Sequence, residues 1–162
     1  MTLEPLILKM ISYDHGCPGR IQHFLKVHSF AKTIAVSEHL DEKTLFITEA
    51  AAIVHDIGIR LCREKYGDGN GKLQEKEGPA LAEQMLSELG FEKDVIERVS
   101  FLVGHHHTYT GIDGLDYQIL VEADFLVNLF EGNTDTAHIR ATYDNIFRTE
   151  TGKKICREMF GL

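Results

Sequence analysis

The chain has 162 residues, of which 43% are hydrophobic and 26% charged, with a formal net charge of −8. That is enough chain to bury a core without disulfides, in a composition that excludes disordered and collagen-like chains. No apolar run reaches the ~20 residues of a membrane span, Met1 to Met10 lacks the basic-then-apolar pattern of a secretory signal, and the acidic balance disfavours extended nucleic acid as a partner.

Helical periodicities separated by Gly, Asp and Asn run along the chain, without repeats and without long alternating β-branched runs. A first helix is expected over Leu3–Ile11, broken by Asp14-His15-Gly16-Cys17-Pro18-Gly19. A second covers about Arg20 to His39, with Val27, Phe30, Ala31 and Ile34 as its apolar stripe. Asp41 is placed to cap a third helix, which runs through Leu45, Ile47, Ala50, Ala51 and Val54 to Gly58. Gly67 to Gly71 reads as a loop, and Pro79 as the start of a fourth helix that ends at Gly90. A fifth spans about Lys93 to His106, a sixth about Leu115 to Phe130, and Thr134 is placed to cap a seventh. The expectation is an all-α helical bundle of about six to eight helices, one domain over residues 1–162. Cys17, Cys62 and Cys156 are odd in number, widely spaced and without a CxxC, which suits free thiols in a reducing cytoplasm.

Histidine is the commonest metal ligand, and the chain has nine. His23 precedes Val27 and Ala31 by four and eight residues, so it continues the buried stripe. It reads either as a core histidine bonded to a carbonyl or as an inward ligand. His28, about 140° round the same helix, cannot easily share an ion with it. His55-Asp56 ends the apolar run Ala50 to Val54. A carboxylate there needs a partner, either Arg60 or a metal. His105-His106-His107 ends another apolar helix. The helix dipole accounts for one of the three, while three protonated neighbours would repel. Asp124 interrupts the apolar run from Ile119 to Val127, held either by a Ser, Tyr or Arg or by a metal.

The order His23, His55-Asp56-Ile57-Gly58, His105-His106, Asp124 resembles the HD-domain superfamily of metal-dependent phosphohydrolases over about Arg20 to Leu129. The resemblance implies a metal between helices, held by His23, His55, Asp56 and Asp124. It also implies a second ion shared through Asp56 and held by His105 and His106. The family's further His before a Gly-Ala step is absent: Gln74-Glu75-Lys76-Glu77-Gly78-Pro79-Ala80 stands there, so Glu75 or Gln74 is the expected oxygen substitute. The family's Lys after His-Asp-Ile-Gly is here Ile59, with Arg60 one place on.

The expected activity is metal-assisted hydrolysis of a nucleotide or other small phosphate ester. In it Asp56 takes or orients the proton, and His105 or His106 places the phosphate or protonates the leaving oxygen. Lys26, Arg60 and Lys72 are the candidate phosphate contacts. One or two divalent ions are expected, with Mn, Fe, Mg, Co, Ni and Zn undifferentiated. A non-catalytic nucleotide-sensing module and a di-iron oxygenase are the alternatives. The expected partner is a small phosphorylated molecule, with neither extended nucleic acid nor membrane, and homo-oligomerisation is left open. No GxSxG or GxxxxGK[ST] is present to support serine or Walker-type chemistry.

Overall fold

A computed structural model describes residues 1–162. Nine α-helices follow one another without a strand: α1 (Glu4–Tyr13), α2 (Pro18–Ser37), α3 (Glu42–Val54), α4 (Gly58–Tyr66), α5 (Gly71–Glu88), α6 (Lys93–Val103), α7 (Leu115–Glu131), α8 (Thr136–Ile146) and α9 (Glu150–Phe160). The all-helical class is as expected, and no helix is long and apolar enough to cross a membrane. The three cysteines are free.

Local chemistry accounts for most boundaries. Pro18 opens α2, where a missing N–H costs little. The Asp41 carboxylate accepts from the Lys43 and Thr44 amides and caps α3, as its position predicts. Four boundaries differ from expectation. α5 starts at Gly71 under an Asn70 cap, so Pro79 lies inside that helix. Asp135, rather than Thr134, caps α8. The helix expected to reach His106 stops at Val103, leaving the three histidines in a turn. The fourth difference is that α4 and α9 are separate helices the periodicity does not resolve.

α2, α3 and α7 pack against one another around the core, with α6 against α3, α5 against α6, and α4 against α5. Phe24, Val27, Ala31 and Ile34 of α2 meet the Ala50–Val54 run of α3 and the Ile119–Val127 run of α7 in one apolar cluster. Apart from Glu122 and Asp124, both runs are apolar all round because each helix is covered on several sides. α4 approaches α5 closely: a Cβ on Gly58 would lie 3.2 Å from the Gln74 carbonyl oxygen and from the Gly78 backbone. That contact pins the turn between α3 and α4, which carries Asp56.

Candidate metal centre

Four donor atoms converge where α2, the end of α3 and α7 meet. His23 Nε2 lies 3.2 Å from His55 Nε2 and 3.2 Å from Asp124 Oδ1. It is also 3.2 Å from Asp56 Oδ2. His55 Nε2 lies 3.3 Å from both Asp56 Oδ2 and Asp124 Oδ1. Ligand distances of about 2.0–2.2 Å put neighbouring donors roughly 3–3.6 Å apart, so these spacings match the edges of a coordination polyhedron.

The far side of each imidazole is held as a ligand's would be. His23 Nδ1 is 3.0 Å from Glu131 Oε2. His55 Nδ1 donates to the Ala52 carbonyl at 2.7 Å, which turns the Nε2 lone pair inward. Asn128 donates from Nδ2 to Asp124 Oδ1 at 2.9 Å. Asn128 and Glu131 follow Asp124 by four and seven residues on one face of α7. That helical spacing is the signal that sequence reading could have used for both.

His106 adds a sharper indication. It is fully buried, and its Nδ1 donates to the Val103 carbonyl at 2.9 Å. Its Nε2 has no hydrogen-bond partner and lies 3.4 Å from Asp56 Oδ1. Two lone-pair atoms facing each other in a buried place are unfavourable unless a cation or proton lies between them. Asp56, His106 and His107 offer ligand atoms within 4.8 Å of one another, as do His23, His55 and Asp56. The donor set suits divalent ions on both sides of Asp56. His107 Nε2 meets Gln74 Oε1 at 3.0 Å, which brings Gln74, one of the two expected oxygen substitutes, against this group.

Electrostatics reinforce the geometry. Burial lowers the His23 pKa, but hydrogen bonds to Asp124 and Asp56 outweigh it and raise it to about 9. Burial likewise opposes the charge on His55, yet the Asp56 and Asp124 carboxylates hold its pKa well above the usual imidazole range. Both carboxylates are pushed up by burial and drawn below their ordinary range mainly by His55. Without a metal, protons on the imidazoles supply the positive charge that the carboxylates need. His107 differs: burial and the neighbouring His106 lower it to about 4, which keeps it neutral.

Four expected site residues lie elsewhere. His105 stacks on Phe101 with ring centroids 4.0 Å apart, and its Nδ1 bonds the Phe101 carbonyl, so His107 stands beside His106 in its place. Glu75 Oε1 accepts from the His107 amide at 3.0 Å and from Thr108 Oγ1 at 2.8 Å, which makes it a clamp on the histidine turn. Lys72 is held by Glu75 and Thr108. Arg60 reaches the Tyr13 carbonyl and Glu64, because its long side chain finds partners on the outer side of α4. Lys26 lies in a cleft of about 450 Å³ that opens beside His23 and Asp56 and is also lined by Arg20, Asn128 and Glu131. His28 faces away from the cluster and meets Glu49 at 2.8 Å.

These placements separate the histidines in the turn experimentally. His107→Ala is expected to lower the Mn²⁺ stoichiometry or weaken the second Mn²⁺ at least about tenfold, the lower bound for outer-shell losses. His105→Ala should leave both unchanged. Titration calorimetry with Mn²⁺ reads the difference, and the opposite ranking would return His105 to the site.

No curated protein and no solved structure matches the chain. A family model, the HD domain, matches residues 20–133, well over half the chain and the whole stretch from His23 through Asp124. With its histidines and aspartates gathered between α2, α3 and α7, the chain belongs to the HD domain family, the superfamily of metal-dependent phosphohydrolases.

Proposed function

We propose that the protein is a metal-dependent phosphohydrolase acting on a small phosphate ester. The observation that carries this reading is the convergence of His23, His55, Asp56 and Asp124 at 3.2–3.3 Å beside an open cleft. These four would hold one divalent ion; Asp56, His106, His107 and Gln74 would hold a second. A bound ion supplies Lewis-acid polarisation of a phosphoryl oxygen and acidifies water. Asp56 presents one oxygen to each donor group, so its carboxylate is the one placed to orient water and take its proton. Lys26 and Arg20 give the cleft its cations, although Lys26 is paired with Glu131 at 2.7 Å and Arg20 with Asp14 at 3.0 Å. Metal analysis of the purified protein, then a phosphate-ester panel with Mn²⁺, Mg²⁺, Co²⁺ and Fe²⁺, tests the proposal. Stoichiometric metal with no turnover on any ester would overturn the hydrolase reading. It would favour a non-catalytic module, for which the lack of a histidine between Gln74 and Ala80 is the supporting feature.

A metal and the protons of the cluster compete, which fixes a pH dependence. A histidine whose folded pKa is raised to about 9 stabilises the metal-free fold fully below its unfolded value near 6.5 and loses that contribution as pH rises through 9. Metal binding requires the neutral ring. The gain in Tm on adding Mn²⁺ is therefore expected to be larger at pH 8.5 than at pH 6. Equal gains at both would place the ion away from His23 and His55.

A further inference from the structure

The turn that presents His106 and His107 is gripped at both ends by one side chain. Tyr117, in the first turn of α7, is buried. Its hydroxyl bonds the His105 carbonyl at 2.7 Å and also the Thr108 carbonyl, on either side of the two histidines. The turn's own bond, from the Thr108 amide to the His105 carbonyl at 2.8 Å, joins the same two residues. A buried hydroxyl needs a partner, but one carbonyl would have been enough. The tyrosine is itself fixed in place. Phe101 meets its ring edge-on with centroids 6.3 Å apart. Asp116 Oδ1 accepts from the Tyr117 amide at 2.8 Å, and Arg98 holds the Asp116 carboxylate through Nε at 2.7 Å and Nη2 at 2.8 Å.

Tyr117 precedes Asp124 by seven residues, about 20° short of two full helical turns. The two side chains therefore leave α7 on one stripe, roughly 10 Å apart along its axis. Asp124 reaches His23 and His55, while Tyr117 reaches the turn that carries His106 and His107. One helix thus spans both donor groups. We propose that Tyr117 is a positioning residue that sets His106 and His107 against Asp56 and so gives the second ion its site. It acts through two backbone carbonyls rather than on a donor atom. The inference rests on the phosphohydrolase reading in its two-ion form.

Tyr117→Phe keeps the ring and removes the hydroxyl. Titration calorimetry with Mn²⁺ should show the second ion weakened at least about tenfold, the lower bound for losing an outer-shell partner, with the first ion unchanged. The electron paramagnetic resonance spectrum of a coupled Mn²⁺ pair should appear only at correspondingly higher Mn²⁺. Leu86→Val, in the core on α5 and eleven residues beyond Glu75, controls for a general loss of stability and should leave both ions at wild-type affinity. A lower Tm in Tyr117→Phe with both affinities intact, both ions weakened alike, or a second ion equally weakened in Leu86→Val would make the tyrosine a structural residue only and overturn the proposal. A wild type that binds a single Mn²⁺ would overturn it too, while the phosphate-ester panel still decides the hydrolase reading. A second ion that depends on the Tyr117 hydroxyl in a protein that hydrolyses no ester would sink the hydrolase reading and leave the positioning role standing.

Discussion

Asp56→Ala is expected to abolish metal retention and phosphate-ester turnover together. Asp56 is the only carboxylate that reaches both donor groups, with Oδ2 at 3.2 Å from His23 and Oδ1 at 3.4 Å from His106. Its removal takes a ligand from each ion and leaves His55 and His106 with less negative charge to face. Losing even an outer-shell partner costs about 10–100-fold in metal affinity, so a shared ligand should cost at least about 100-fold. Asp56→Asn keeps the volume and one acceptor oxygen without the charge, and should fall near Asp56→Ala if charge is what matters. Circular dichroism on both variants separates loss of the site from loss of the fold. Full metal content and full turnover in Asp56→Ala would remove the shared site altogether.

Glu122→Ala should cause a large loss of stability without touching the metal centre. Glu122 is fully buried on α7 and accepts from Gln118 Nε2 at 2.6 Å and from the Arg148 and Thr149 amides at 3.1 Å each. Thr149 Oγ1 also donates to it at 2.7 Å, and accepts from the Gly152 amide as the cap of α9. One carboxylate therefore ties the α8–α9 turn and the start of α9 to α7. Each buried donor left unpaired costs about 1–3 kcal/mol, so a loss of roughly 3–5 kcal/mol is expected, or about 10 °C in Tm for a chain of this size. Gly152→Ala should act in the same direction, because a Cβ there would sit 1.9 Å from Glu122 Oε1. Glu122 lies two residues before Asp124, about 200° round the helix. Metal stoichiometry should therefore hold while Tm falls. A Tm within 2 °C of wild type would mean that α8 and α9 are held by their apolar contacts alone.

The two cases show which features were readable from residues in order. His23 was legible because an i, i+4, i+8 register puts a side chain on the buried face whatever the rest of the molecule does. His55-Asp56 and Asp124 were legible because a carboxylate inside an apolar run must find a positive partner. The all-helical class follows from the same periodicities, which arise within one element. His106 was named from the sequence, but that His107 rather than His105 stands beside it was not legible, since α6 ends at Val103 and helical spacing stops applying there. Contacts from outside that segment orient the turn: the Tyr117 hydroxyl on the carbonyls of His105 and Thr108, and Glu75 on the His107 amide. Gly71 lets the His107 ring approach, for a Cβ there would lie 2.7 Å from its Cγ. Glu75, Lys72 and Arg60 were misplaced for a related reason: long charged side chains take whichever partner the packed helices bring within reach. The sequence alone determined the helical class and that His23, His55-Asp56 and Asp124 belong to apolar stretches; only the tertiary structure decided which groups meet, because that depends on contacts between residues far apart in the chain.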